Sequence, residues 1–113
     1  NMEIARTLLE FRNASVDGAC NGQQAVEMFR SSPQNHYDAV LMDVRMPVMD
    51  GIAATQAIRG LDRADAATVP ILAMTANAFA EDIERSRKAG MNEHLAKPIE
   101  PETLYARLAS YFR

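Results

Sequence analysis

Cysteine is almost missing from the chain: Cys20 stands alone among 113 residues. No intramolecular disulfide can form, and zinc sites built on two or four thiolates are excluded. Cys20 itself reads as a small, half-buried apolar residue. No apolar run approaches the roughly 20 residues that a membrane helix needs, and no basic start followed by an apolar stretch resembles a secretory signal. A cytosolic location without membrane contact is the expectation. Positive charge is not in excess either, since 12 Lys and Arg against 15 Asp and Glu leave a formal net charge of -3. Acids and bases are interspersed, so no basic face follows a phosphate backbone, and nucleic acid is not expected as a direct partner. Repeats and low-complexity tracts are absent.

What is present is apolar residues, 48% of the chain, enough for one sizeable core and too few for two. A single domain over residues 1–113 is expected. Short apolar runs alternate with longer stretches of helical period, the pattern of βα units around a parallel sheet. Residues 2–13 carry Ile4, Leu8 and Phe11 at helical spacing and read as an amphipathic helix. Residues 15–19 are a strand candidate weakened by Gly18, and Asn21-Gly22 turns the chain into a helix with Ala25, Val26 and Phe29. The continuous apolar run Ala39-Val40-Leu41-Met42 suits a strand covered on both faces, with Asp43 at its C-terminal edge. Asp50 can cap a helix over residues 51–59, and Gly60 can stop it. Residues 62–68 read as a polar loop.

Val69-Pro70-Ile71-Leu72-Ala73-Met74 follows as a strand closed by Thr75, its proline near the start, where the lost donor matters least. Residues 81–89 form a charged helix that Gly90 can end in a left-handed cap. Residues 93–96 make a last short strand, Lys97-Pro98 turns, and Pro101 starts a final helix lined by Leu104, Leu108 and Tyr111. The expected order is a helix followed by four βα units.

Three of the four strand candidates end in a reactive side chain: Asp43, Thr75 and Lys97. Ligands of open α/β sheets bind at the C-terminal strand ends. Were these strands neighbours, about 4.8 Å apart, the carboxylate and hydroxyl would lie side by side, and the lysine would start two strand spacings away, within its own length. A carboxylate is a weak nucleophile. Attack on phosphorus, however, needs mainly positioning and neutralisation of the phosphoryl oxygens, and an acyl phosphate is a known kind of enzyme intermediate. Lys97 offers a point charge and Thr75 a hydroxyl donor to those oxygens. Taken singly, a strand-end aspartate is more often a cap, and a threonine there is ordinary sheet chemistry.

The flanks make the set specific. The segments Leu41-Met42-Asp43-Val44-Arg45-Met46-Pro47-Val48-Met49-Asp50-Gly51, Met74-Thr75-Ala76-Asn77, Gly90-Met91-Asn92 and His94-Leu95-Ala96-Lys97-Pro98 together resemble the receiver (response regulator) family over essentially the whole chain. Asn77-Ala78-Phe79-Ala80-Glu81-Asp82 and the residues around Lys97 look most like receivers of hybrid sensor histidine kinases. The resemblance implies a flavodoxin-like, doubly wound parallel sheet of order 2-1-3-4-5. It makes Asp43 the phosphoacceptor, Thr75 the switch hydroxyl and Lys97 the phosphate-pairing lysine, with a cis peptide between Lys97 and Pro98. It places Mg²⁺ on the Asp43 carboxylate and the Arg45 backbone carbonyl. Control of switching and lifetime falls to His94, Arg45, Asn77 and Ala76. The implied partner is a histidine kinase or histidine phosphotransfer domain, and no separate enzymatic activity is expected beyond self-phosphorylation and slow autodephosphorylation.

Two departures from the family stand out. Its first strand, ending in two adjacent acids that complete the Mg²⁺ site, is not matched, because the chain opens at Asn1-Met2-Glu3-Ile4-Ala5. The expectation is a sheet lacking that strand and a chain that binds Mg²⁺ poorly. A longer parent protein, a strand supplied by another chain, and closure of the flanking strands onto each other are the alternatives, the first preferred. His94 stands where many members carry tyrosine or phenylalanine, and an exposed structural histidine is expected there rather than a pH sensor. His36 lies in a polar loop. An aspartate-nucleophile phosphatase would need an acid where Arg45 stands. A non-phosphorylated binding module is opposed by the intact Asp43, Thr75 and Lys97.

Overall fold

A computed structural model describes residues 2–11, 15–19, 21–44, 48–75, 80–96 and 100–111. Among them, six helices and three strands follow the order α1 (Met2–Phe11), α2 (Gly22–Ser31), β1 (Val40–Asp43), α3 (Gly51–Arg59), α4 (Ala64–Thr68), β2 (Ile71–Thr75), α5 (Ala80–Ala89), β3 (Glu93–Ala96) and α6 (Pro101–Ala109). The strands form one parallel sheet in the order β1-β2-β3.

All five residues of β2 are buried, as a central strand with helices on both faces requires. Side chains alternate between two cores. On one face Met42, Ile71 and Ala73 pack with Val26 and Phe29 of α2 and with Ala54 and Ile58 of α3. On the other, Leu72, Met74 and Leu95 pack with Leu104 and Leu108 of α6, and Leu8 and Leu9 of α1 close the edge. The Tyr105 hydroxyl donates to the Leu8 carbonyl at 2.7 Å, tying α6 to α1. Helices thus cover both faces, and the architecture is α/β and doubly wound.

The sequence signals for helix ends act through identifiable bonds. Asn21 accepts from the Gln24 N–H at 2.8 Å, and Asp50 accepts from the Ala53 N–H at 2.9 Å. Pro101 occupies the first turn of α6. Gly90 adopts φ +114°, and the Met91 N–H reaches back to the Ser86 carbonyl at 3.1 Å, a left-handed cap that ends α5.

Two expectations are corrected. Residues 15–19 form no strand. Only Val16 and Ala19 are even half-buried there, and no ladder partner lies among the described residues, so the segment is tied by side chains instead. Arg6 donates to the Val16 carbonyl at 3.3 Å and the Tyr37 hydroxyl to Asp17 at 2.9 Å. Residues 62–68, read as a loop, contain the short helix α4. It forms because Ala66 is fully buried in the core and Asp65 is anchored by Arg63, which gives a polar sequence a tertiary reason to coil.

Candidate functional site

The sheet brings Asp43 and Thr75 to the C-terminal ends of adjacent strands. Asp43 is the last residue of β1 and Thr75 the last of β2. In register, Asp43 pairs with Met74 and Thr75 with Ala96, so the two are offset by one residue rather than level. The Val44 N–H continues the ladder to the Met74 carbonyl at 3.0 Å. Asp43 is half-buried and Thr75 is buried, so Asp43 is the more exposed residue of the two. Of the remaining expected site residues, Lys97, Arg45, Ala76, Asn77 and Pro98 lie outside the described residues. Since β3 ends at Ala96, Lys97 directly follows the third strand end in the row.

The segment after Asp43 is held at both sides. The Gly51 N–H donates to the Val44 carbonyl at 2.9 Å, drawing the start of α3 to the end of β1. The Gly22 N–H donates to the Met49 carbonyl at 3.1 Å, joining the start of α2 to the same segment. Within it Val48 is 77% exposed and adopts φ +69°. A β-branched side chain in the left-handed region carries strain on the order of 1–3 kcal/mol, and such strain gathers at functional loops. Nothing in the sequence marks Val48 as strained, because valine ordinarily avoids that conformation. Gly51 was expected only as a helix start, and its close approach to β1 emerges from the packing.

His94 lies in β3 opposite Ala73 and is half-buried, not exposed as expected. Its Nε2 is buried and has no hydrogen-bond partner among the described residues. Burial lowers its pKa from the usual histidine value, the Arg87 charge lowers it further, and Glu93 partly offsets both. The imidazole is therefore neutral near pH 7, and its titration moves away from neutrality. His36 stands edge-on to Tyr37 at 4.6 Å between ring centroids, 3.9 Å from Asp17.

A hard oxygen donor such as the Asp43 carboxylate suits Mg²⁺. Among the described residues, however, no group of three or more His, Cys, Asp or Glu side chains is placed to hold a metal ion. The described residues therefore supply one of the expected donors and do not make up a complete cation site. No described helix is long and apolar enough to cross a membrane.

With the strand-end geometry in place, comparison with known proteins is informative. The sequence model of the response regulator receiver domain matches residues 1–109. The chain is 40% identical over 111 residues to the signal transduction histidine-protein kinase BarA of Escherichia coli K12, covering 98% of this chain and 12% of that protein. It is 36% identical over 107 residues to hybrid signal transduction histidine kinase I of Dictyostelium discoideum, covering 93% of this chain and 6% of that protein. The chain thus spans only a small fraction of these relatives. Among solved structures, the receiver domain of sensor histidine kinase PA1611 from Pseudomonas aeruginosa, with magnesium coordinated in its active-site cleft, superposes with a TM-score of 0.87 at 38% identity, covering 98% of this chain and 87% of that one. The chemotaxis protein CheY4 of Vibrio cholerae superposes with the same TM-score at 26% identity, covering 97% of this chain and 88% of that one. A doubly wound sheet with an aspartate at the end of a strand beside a threonine, and a family match over nearly the whole length, lead to one assignment: the chain belongs to the response regulator receiver domain family.

Proposed function

We propose that Asp43 accepts a phosphoryl group from a phosphohistidine on a histidine kinase or histidine phosphotransfer domain, and that the modified domain presents a changed surface to its partner. The observation that carries this reading is the position of Asp43 at the C-terminal end of β1, next to the end of β2 where Thr75 stands. A carboxylate oxygen of Asp43 attacks phosphorus, the P–N bond to the donor imidazole breaks, and that nitrogen keeps the electron pair and takes up a proton. Little covalent work falls to the other side chains, whose task is to place and neutralise the phosphoryl oxygens. The Lys97 ammonium pairs with one oxygen, and the Thr75 hydroxyl donates to another once the group is attached.

Arg45 and Asn77, two residues beyond Asp43 and Thr75 respectively, govern access of the attacking water and hence lifetime, with Ala76 between the threonine and the asparagine. His94, two residues before the end of β3 and on the Ala73 side of the sheet, couples the modified site to the β3 surface. Mg²⁺ would use Asp43 and the Arg45 carbonyl together with further donors, and would supply neutralisation of charge on the phosphoryl oxygens. The domain works as one unit in the cytoplasm, without direct contact to nucleic acid or membrane, as its acid excess and short apolar runs suggest.

The test is labelling of the natural full-length protein by a small phosphodonor. Wild type is expected to take up hydroxylamine-labile phosphate, and Asp43→Asn to take up none while keeping its circular dichroism, because the change removes the nucleophile at nearly constant volume. Full labelling of Asp43→Asn would show that another residue is the acceptor.

A further inference from the structure

We infer that Gly51 is a positioning residue for Asp43: the missing side chain at the start of α3 sets where the end of β1, and with it the Asp43 carboxylate, stands relative to Thr75. The inference rests on the reading of Asp43 as phosphoacceptor. A β-carbon placed on Gly51 would fall well inside van der Waals contact of the Asp43 carbonyl oxygen, and only 2.9 Å from both the Asp43 carbonyl carbon and Met42 Cγ. The obstacle is chiefly backbone, so no flexible side chain can swing aside to absorb it.

Neither partner in this contact is loosely held. β1 is fixed to β2 by the Val40 N–H on the Pro70 carbonyl at 2.8 Å and the Val44 N–H on the Met74 carbonyl at 3.0 Å. α3 is fixed by the Asp50 cap and by Ala54 and Ile58, which are 0% and 1% exposed. The Gly51 N–H bond to the Val44 carbonyl adds a direct tie one residue beyond Asp43. With both elements packed, a methyl group at residue 51 is accommodated by moving the end of β1 away from α3, a shift on the order of 1 Å. Phosphoryl transfer draws its rate mainly from placement, and a misplacement of about 1 Å costs about 100-fold.

Gly60 supplies the contrast. A β-carbon there meets Gln56 O at 3.4 Å and Ala57 O at 3.7 Å, ordinary contacts, and its φ of -84° suits any residue. Gly60 is far from the strand end, at the opposite terminus of α3.

The experiment measures uptake from a small phosphodonor by the natural full-length protein as wild type, Gly51→Ala and Gly60→Ala, recording rate and final stoichiometry separately. Gly51→Ala is expected to load about 100-fold more slowly in limiting rate, with an unchanged donor concentration for half-maximal rate, and to reach the wild-type stoichiometry. Gly60→Ala is expected to load at the wild-type rate. A purely structural role would instead lower the stoichiometry, as molecules unfold, while the folded remainder loads at the normal rate. That result, or a Gly51→Ala rate within about threefold of wild type, overturns the inference. If Gly51→Ala does not fold, it is measured in trimethylamine oxide, which favours the compact state. Slow loading of the refolded variant supports the inference and a restored rate overturns it. Absence of labelling on wild type would overturn the phosphoacceptor reading itself, and is thereby distinct from failure at Gly51.

Discussion

The two ends of the sheet are built on different principles. At the end where the strands begin, two arginines bind backbone carbonyls from several segments. Arg59 donates to the Gly90 carbonyl at 2.7 and 3.1 Å, to the Ala66 carbonyl at 3.0 Å and to Asn92 Oδ1 at 2.9 Å. Asn92 Oδ1 also accepts the Ile71 N–H at 2.8 Å, so one side chain links α3, the end of α5 and the start of β2. Arg63 donates to the Phe29 and Ser32 carbonyls at 2.9 Å and to the Pro33 carbonyl at 2.9 Å, and stacks over the Phe29 ring at 4.9 Å. It thereby gathers carbonyls at and just beyond the end of α2. At the opposite end, where Asp43 and Thr75 stand, the fixings include ladder bonds, the Asn21 and Asp50 caps at the starts of α2 and α3, and the close approach of Gly22 and Gly51. The two arginines that gather backbone carbonyls from distant segments thus sit at the end of the sheet away from Asp43.

If the two ends are separable in this way, changes at the arginine end should alter stability without touching the rate of loading. The largest effect is expected from Arg59→Ala, which leaves the Gly90 and Ala66 carbonyls without their charged donor. A loss of about 2–3 kcal/mol is expected in urea unfolding, with the loading rate per folded molecule unchanged. A fall in that rate would break the separation.

A smaller, pH-dependent effect is expected from Asp65→Asn. Arg63 donates to both Asp65 carboxylate oxygens, at 2.6 and 2.8 Å, and the Asn35 N–H donates to Oδ2 at 2.8 Å. The Arg63 hydrogen bond holds the Asp65 carboxyl below its usual pKa, against some opposing desolvation, and the Asn35 N–H assists. A carboxyl lowered in the folded state contributes stability that is present above its unfolded pKa of about 3.9 and is lost as pH falls through its folded value. Wild type should therefore unfold at a higher temperature than Asp65→Asn at pH 7, and the gap should close below about pH 4. A gap that stays constant down to pH 2 would show that the carboxylate charge is not what the site uses.

The smallest effect is expected at Thr55, in the core of α3. Its side chain is fully buried and Oγ1 has no hydrogen-bond partner among the described residues. Thr55→Val removes a buried unpaired hydroxyl and should be neutral or stabilising by up to about 1 kcal/mol. A clear loss of stability would reveal a partner for that hydroxyl.

The same division explains what could be read from the residues alone. Asn21, Asp50, Gly90 and Pro101 act locally, through bonds to their own neighbours in sequence, so the bounds of α2, α3, α5 and α6 were legible. Asp43 and Thr75 were legible as strand ends because apolar runs stop at them. Arg59 and Arg63 look like ordinary surface cations in sequence, since all but one of the carbonyls they bind lie 30 or more residues away. The helix α4 was missed for the same reason, because its stability comes from Arg63 and the core rather than from its own residues. The segment at residues 15–19 has a strand-like composition but no partner among the described residues, and a ladder cannot be inferred from one strand alone.

The central claim is that Asp43 carries the phosphoryl group, and its most direct test is to find the modified residue. The natural full-length protein is loaded with a small phosphodonor, reduced with borohydride, digested and examined by mass spectrometry. Reduction of an aspartyl phosphate converts that residue to homoserine. Homoserine at position 43 is the predicted result, and unmodified Asp43 with homoserine at another aspartate would contradict the account.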